Sequence, residues 1–229
     1  LERHFDQELD ALKEQMLRMG GRAEAIIQKS VEALKRRDPA LCAEVFEDDK
    51  AIDRMEIDIE ERCIHLLALR QPMAVDLRFI TSALKISNDL ERVGDHGVNI
   101  AGNALRLCQE PPLKPLVDIP RMADMAAAML HEALDAFVRR DAPTARRLVR
   151  RDDEVDDLNR QLFRELVSFM IESPATITRA MELILVARNL ERVADLATNV
   201  AEEVVFIAEA RVIKHHAEDQ PGGDEFSRS

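Results

Sequence analysis

The chain has no tryptophan and no tyrosine, and only 8 phenylalanines, 7 glycines and 9 prolines among 229 residues. Ordinary usage would supply roughly 27 glycines and prolines together. Sheet-rich folds need frequent turns and many aromatic or β-branched residues, so this poverty leaves an all-α fold as the expected class. The three cysteines, Cys42, Cys63 and Cys108, are odd in number and share no CxxC spacing, which signals neither a disulfide framework nor a zinc site. They suit a reducing, cytoplasmic setting. Positive charge is in deficit, 32 Lys and Arg against 44 Asp and Glu, for a net charge of −12. With that balance the phosphate-neutralising surface of a nucleic-acid binder is not expected, and cations or basic protein surfaces are the expected partners. No run approaches the ~18 uncharged apolar residues of a membrane span, and Leu1-Glu2-Arg3-His4-Phe5 lacks the basic-then-apolar form of a signal peptide. Any work at a membrane is expected to be peripheral.

The prolines that are present fall at wide intervals and mark helix ends, because proline lacks a backbone donor and clashes with the preceding turn. They leave six segments, roughly 3–37, 40–70, 74–109, 121–141, 144–172 and 176–214, each with apolar residues at three- and four-residue spacing. In the third, Ala83, Ser87, Leu90, Gly94 and Ala101 form one stripe. The stretch 111–120, rich in proline, reads as a connector between two three-helix units, 1–110 and 121–214. The tail, 215–229, reads as disordered.

The two units are copies. Asn88-Asp89-Leu90-Glu91-Arg92-Val93-Gly94-Asp95, with Asn99-Ile100-Ala101 after it, recurs as Arg188-Asn189-Leu190-Glu191-Arg192-Val193-Ala194-Asp195 with Asn199-Val200-Ala201. Upstream, Asp49-Lys50-Ala51-Ile52-Asp53 recurs as Asp152-Asp153-Glu154-Val155-Asp156, and Gln71-Pro72 matches Ser173-Pro174.

Each copy carries two acidic pairs at i, i+4, which puts both carboxylates of a pair on one helix face. Asp49 and Asp95 are equally spaced about Pro72 in the sequence, as are Asp53 and Glu91. Asp152 with Asp195, and Asp156 with Glu191, are likewise centred between Ser173 and Pro174. In an antiparallel helical hairpin such residues face one another, so four carboxylates are expected to converge in each unit. Clustered like charges are costly unless a cation neutralises them. An all-oxygen set suits Mg²⁺, Mn²⁺, Ca²⁺ or iron better than structural zinc. The helical wheel places Glu91, Asp95 and Asn99 beside the apolar stripe, so the site is expected to be superficial. Asn99 and Asn199 continue that face and are candidate carbonyl ligands. Arg92 and Arg192 also repeat; a wheel turns them away from the core, towards salt bridges or a partner.

Other signals are weaker. Gly94 is expected to allow close helix packing, and Gly20-Gly21 to kink or tighten the first helix. His65 points off the apolar stripe, His96 merely follows Asp95, His215-His216 precede the tail, and methionines such as Met16, Met19, Met122 and Met125 read as core filler. No histidine has Glu three residues earlier, as a ferritin-like di-iron bundle needs, and there is no GxxxxGK[ST] phosphate loop. No spacing of Ser, His and Asp resembles a nucleophile motif.

From about Phe5 to Ile213 the chain resembles the PhoU family, accessory regulators of bacterial phosphate-specific transport. The resemblance is carried by Met19-Gly20-Gly21, by the turn Arg70-Gln71-Pro72-Met73-Ala74-Val75-Asp76-Leu77-Arg78, and by the duplicated Leu-Glu-Arg-Val-x-Asp segments. It implies two tandem three-helix bundles, a homodimer, and multinuclear iron or zinc clusters held by E/DxxxD motifs. These motifs land on Asp49, Asp53, Glu91 and Asp95 and on Asp152, Asp156, Glu191 and Asp195. It also implies a non-enzymatic role restraining the phosphate-starvation response, between the ATPase subunit of the phosphate ABC transporter and a membrane sensor histidine kinase. Glu172-Ser173-Pro174-Ala175-Thr176 departs from the family's longer basic turn, so the two bundles are expected to present different surfaces. The rival expectation is a metal-dependent phosphoesterase whose carboxylate clusters activate water.

Overall fold

The computed structural model describes residues 2–70 and 72–210. Glu2–Arg36 forms α1, Pro39–Arg70 α2, Ala74–Leu107 α3, Asp118–Arg139 α4, Ala142–Val149 α5, Asp152–Glu172 α6 and Ile177–Glu209 α7, with one 3₁₀ turn at Pro174–Thr176. No strand occurs among the described residues. These are the six expected helical arms, the fifth of them interrupted. The interruption, at Arg150 and Arg151, has an electrostatic cause. Arg146 and Arg147 occupy the last turn of α5, while Asp152, Asp153 and Glu154 fill the first turn of α6. Each group sits at the helix end whose dipole favours its sign, so the sequence reads as one helix stopping and another starting. The expected segment 144–172 missed this because the apolar spacing continues across the break.

The same local chemistry makes the entry turns of both units. Arg37 and Arg140 take the left-handed conformation, with φ of 56° and 55°. Each is followed by an aspartate: Asp38 accepts from the Ala40 amide at 2.9 Å, and Asp141 caps α5 by accepting from the Thr144 amide at 3.1 Å. The Thr144 hydroxyl also donates to Asp141, and these bonds hold its carboxyl below the usual range. α4 begins at Asp118, so Pro120 lies in its first turn rather than in the connector. A proline there forfeits nothing, since a first-turn N–H has no intrahelical acceptor. The last helix ends at Glu209, where Ala210 turns left-handed and donates to Phe206 O at 2.9 Å. The end expected at 214, the tail 215–229 with His215-His216, and Gln71 of the first hairpin turn lie outside the described residues.

α3 and α7 are the central pair. α1 and α2 pack on α3, α4, α5 and α6 pack on α7, and α1 also packs on α4. The two central helices run antiparallel: Arg78 donates to Ile207 O, Ser82 to Glu203, and Arg106 to Glu182. The buried Glu203 carboxylate accepts from Ser82 Oγ at 2.8 Å and Lys85 Nζ at 2.9 Å, so its charge is paired across the two repeats. One continuous apolar core runs through both units, from Met16 and Ile26 through Ile52, Ile86 and Leu90 to Leu130, Leu190 and Val200. Within it the rings of Phe79 and Phe137 stack across the repeats with centroids 4.7 Å apart. Gly20 does not kink α1, which runs unbroken; a Cβ there would lie 2.0 Å from Leu134 Cδ1, so the glycine lets α4 approach.

Candidate metal centres

The carboxylate pairs lie where α2 meets α3 and where α6 meets α7. In the first unit the register about Pro72 is fixed independently by Asn88 Nδ2, which donates to Glu56 Oε1 at 3.3 Å; these two residues are also equally spaced about Pro72. Asp49 is half-buried against Gly94, while Asp53, Asp95 and Asn99 are exposed. Burial pushes the Asp49 carboxyl up to about 6, with the charges of Asp53 and Asp95 acting in the same direction. Glu91 is also pushed up to about 6, by burial first and then by Asp95, Glu56, Asp53 and Asp49. The four predicted carboxylates thus feel one another's charge, and Glu56 joins them. Glu56 was legible only as another acid one turn along α2.

In the second unit burial pushes Asp152 up to about 6, aided by Asp195, Asp156, Glu191 and Asp153. Glu191 and Asp195 are raised by burial too, but the Arg192 charge opposes the rise at both. Asp152 Oδ1 is buried with no hydrogen-bond partner. Asn99 and Asn199 lie a turn further along their helices and make no side-chain hydrogen bond among the described residues. Arg92 and Arg192 are exposed; Arg92 engages Asp89 and Arg192 engages Asp195. His96 has a place the sequence did not suggest. Its Nδ1 lies 2.8 Å from Asn189 Oδ1, across the α3–α7 seam, and its charge bears on Asp195.

The donor set fits a hard or borderline cation. Every candidate donor is an oxygen, Asp152 offers a buried oxygen lacking any partner, and Asp49 is seated on a glycine that leaves it space. Among the described residues, no three His, Cys, Asp or Glu side chains are closed upon a common point.

These features define a class: a duplicated three-helix-bundle protein with one open carboxylate site per repeat. The PhoU domain matches twice, over residues 16–104 and 119–204, and the chain belongs to the PhoU family. It is 43% identical to the phosphate-specific transport system accessory protein PhoU homolog of Aquifex aeolicus over 91% of this chain and 95% of that one. The crystal structure of PhoU from Pseudomonas aeruginosa superposes with a TM-score of 0.86 at 38% identity, covering 90% of this chain and 100% of that one. The phosphate transport system regulatory protein PhoU from Streptococcus pneumoniae gives 0.85 at 29% identity, covering 91% and 98%. Accessory and regulatory proteins of phosphate transport are therefore its kin. No helix among the described residues is long and apolar enough to cross a membrane.

Proposed function

We propose that this chain restrains the phosphate-starvation response as a metal-binding adaptor. It acts in the cytoplasm as a homodimer, between the ATPase subunit of the phosphate ABC transporter and a sensor histidine kinase. The observation that carries this reading is the duplication of an open, all-carboxylate site on a rigid helical frame within a PhoU-family chain. Asp49, Asp53, Glu91 and Asp95, and Asp152, Asp156, Glu191 and Asp195, would hold the ions, with Asn99 and Asn199 at hand. Multinuclear iron or zinc, or alternatively Mg²⁺, Mn²⁺ or Ca²⁺, bound there would supply local positive charge on an otherwise acidic surface, to which carboxylate or phosphate groups of a partner can attach. The relatives, named as accessory and regulatory proteins of phosphate transport, support an accessory role in that process. The net charge of −12 favours protein partners over nucleic acid.

Deleting the protein in phosphate-replete cells tests this directly. Starvation genes are expected to switch on, and the tagged full chain is expected to retain the transporter ATPase in a pull-down. Hydrolysis of phosphate esters by the metal-loaded protein, with repression intact on deletion, would overturn the adaptor reading in favour of a phosphoesterase.

A further inference from the structure

The two carboxylate sites are copies in sequence but differ in their counter-ions. Asp49, Asp53, Glu91 and Asp95 have no basic side chain within ion-pair distance among the described residues. Two cations beside these residues in sequence turn elsewhere: Lys50 Nζ is 2.7 Å from Glu47, and Arg92 Nη1 is 3.3 Å from Asp89. In the second site Arg192 Nη1 lies 3.0 Å from Asp195 Oδ2, its Nε lies 3.9 Å from Glu191 Oε2, and Arg160 Nη1 lies 3.5 Å from Asp156 Oδ2.

The different direction of Arg192 traces to one position. Asp89, which holds Arg92 back, is replaced by Asn189. That residue is neutral and occupied, its Nδ2 donating to Leu185 O at 2.7 Å and its Oδ1 facing His96. With no carboxylate behind it, Arg192 turns forward onto Asp195. Arg160 stands where the first copy has Ile57, and Arg188, whose charge reaches Glu191, stands where it has Asn88. Glu56 in the first site faces Asn159 as its counterpart in the second. Asp153 and Asp157 stand where the first copy has Lys50 and Arg54, and Arg160 donates to Asp157 at 2.7 Å, so the neighbours add no net positive charge to the second site; what separates the two sites is Arg192, which lies on Asp195 whereas Arg92 lies on Asp89.

Resting on the metal-binding reading above, we propose that the sites are inequivalent by construction. The first accepts a divalent cation directly, whereas the second holds Arg192 as an internal counter-ion that an arriving cation must displace. Metal therefore loads in order, first unit before second, and filling the second site releases a guanidinium to the surface.

The full chain, stripped with chelator, is titrated with Mn²⁺ by calorimetry, one site at a time. D152N/D156N isolates the first site and D49N/D53N the second. The first is expected to bind about tenfold or more tightly than the second, on the scale of an opposing charge at contact distance. R192Q is expected to tighten the second site by about that factor and leave the first unchanged. N189D, which restores the carboxylate that holds the arginine back, should act in the same direction. Circular dichroism melts confirm that each variant is folded. Equal affinities in the isolated sites, or no tightening by both R192Q and N189D, would overturn the proposal while leaving metal binding in place. Absence of Mn²⁺ binding in every folded variant would overturn the metal reading and this inference with it.

Discussion

The Asp49 carboxylate lies over the backbone of α3 so closely that a β-carbon at Gly94 would sit 2.6 Å from its Oδ1. The closest atom is the end of an adaptable side chain, and Ile52 Cδ1 at 3.3 Å must give by a few tenths of an ångström, so G94A is expected to cost little stability. Relief of glycine's helix penalty, about 1 kcal/mol, offsets the displacement. What moves is the carboxylate itself. Mn²⁺ bound at the first site should weaken about tenfold with the second unaffected, as expected when a ligand is lost from position. Calorimetry on G94A beside a urea denaturation curve checks both halves; unchanged affinity would detach Asp49 from the site.

Acid and metal should act in opposite directions on stability. Asp49, Glu91 and Asp152 are raised to about 6, above the unfolded values near 4. Between those limits the folded chain binds more protons than the unfolded chain, so stability falls as pH rises through the window. Metal-free protein is expected to melt higher near pH 5 than near pH 7.5, the contribution being complete below about pH 4 and lost above about pH 6. Asp141 and Glu32, which are lowered, oppose this only below the ordinary carboxylate range. With excess Mn²⁺ the order should reverse, because a bound cation requires ionised carboxylates. Melting curves at both pH values, with and without Mn²⁺, give the test, and a metal-free melting temperature that climbs from pH 5 to pH 7.5 would refute it.

Because Phe79 and Phe137 stack across the repeats inside one continuous core, the two units should unfold together. F79A is expected to destabilise the chain by about 3–5 kcal/mol, the usual cost of deleting a buried aromatic ring. A single cooperative calorimetric transition, shifted down in F79A, is the expected result. Two separate transitions would mean that the bundles are thermodynamically independent.

Much of this was legible because helical periodicity and antiparallel pairing are linear rules. Six segments follow from proline and apolar spacing, and the opposition of Asp49 to Asp95 follows from their equal spacing about Pro72. The break at Arg150–Arg151 was hidden because apolar spacing survives it; only the switch from basic to acidic residues announces it. The placement of His96 and the different directions taken by Arg92 and Arg192 depend on how α3 crosses α7, which no local pattern encodes. The Asp89-to-Asn189 difference was visible in the repeat alignment, but its consequence needed the neighbours of both residues.

A helical adaptor without a nucleotide loop can influence transcription only through partners, so if metal forms part of the contact surface, emptying both sites should resemble deletion. The variant E91Q/D95N/E191Q/D195N removes charge from two candidate ligands in each repeat while conserving volume, and its neutral side chains relieve both the cost of burying charge and the repulsion between neighbouring carboxylates. It should therefore accumulate normally and melt no lower than the metal-free parent. In phosphate-replete cells its starvation-gene expression is expected to rise towards that of the deletion strain, with metal per purified chain reduced in parallel. Full repression by this variant at normal abundance would show that the helical surface alone makes the contact, and the carboxylate sites would then lose their place in the signalling argument while the adaptor role stood.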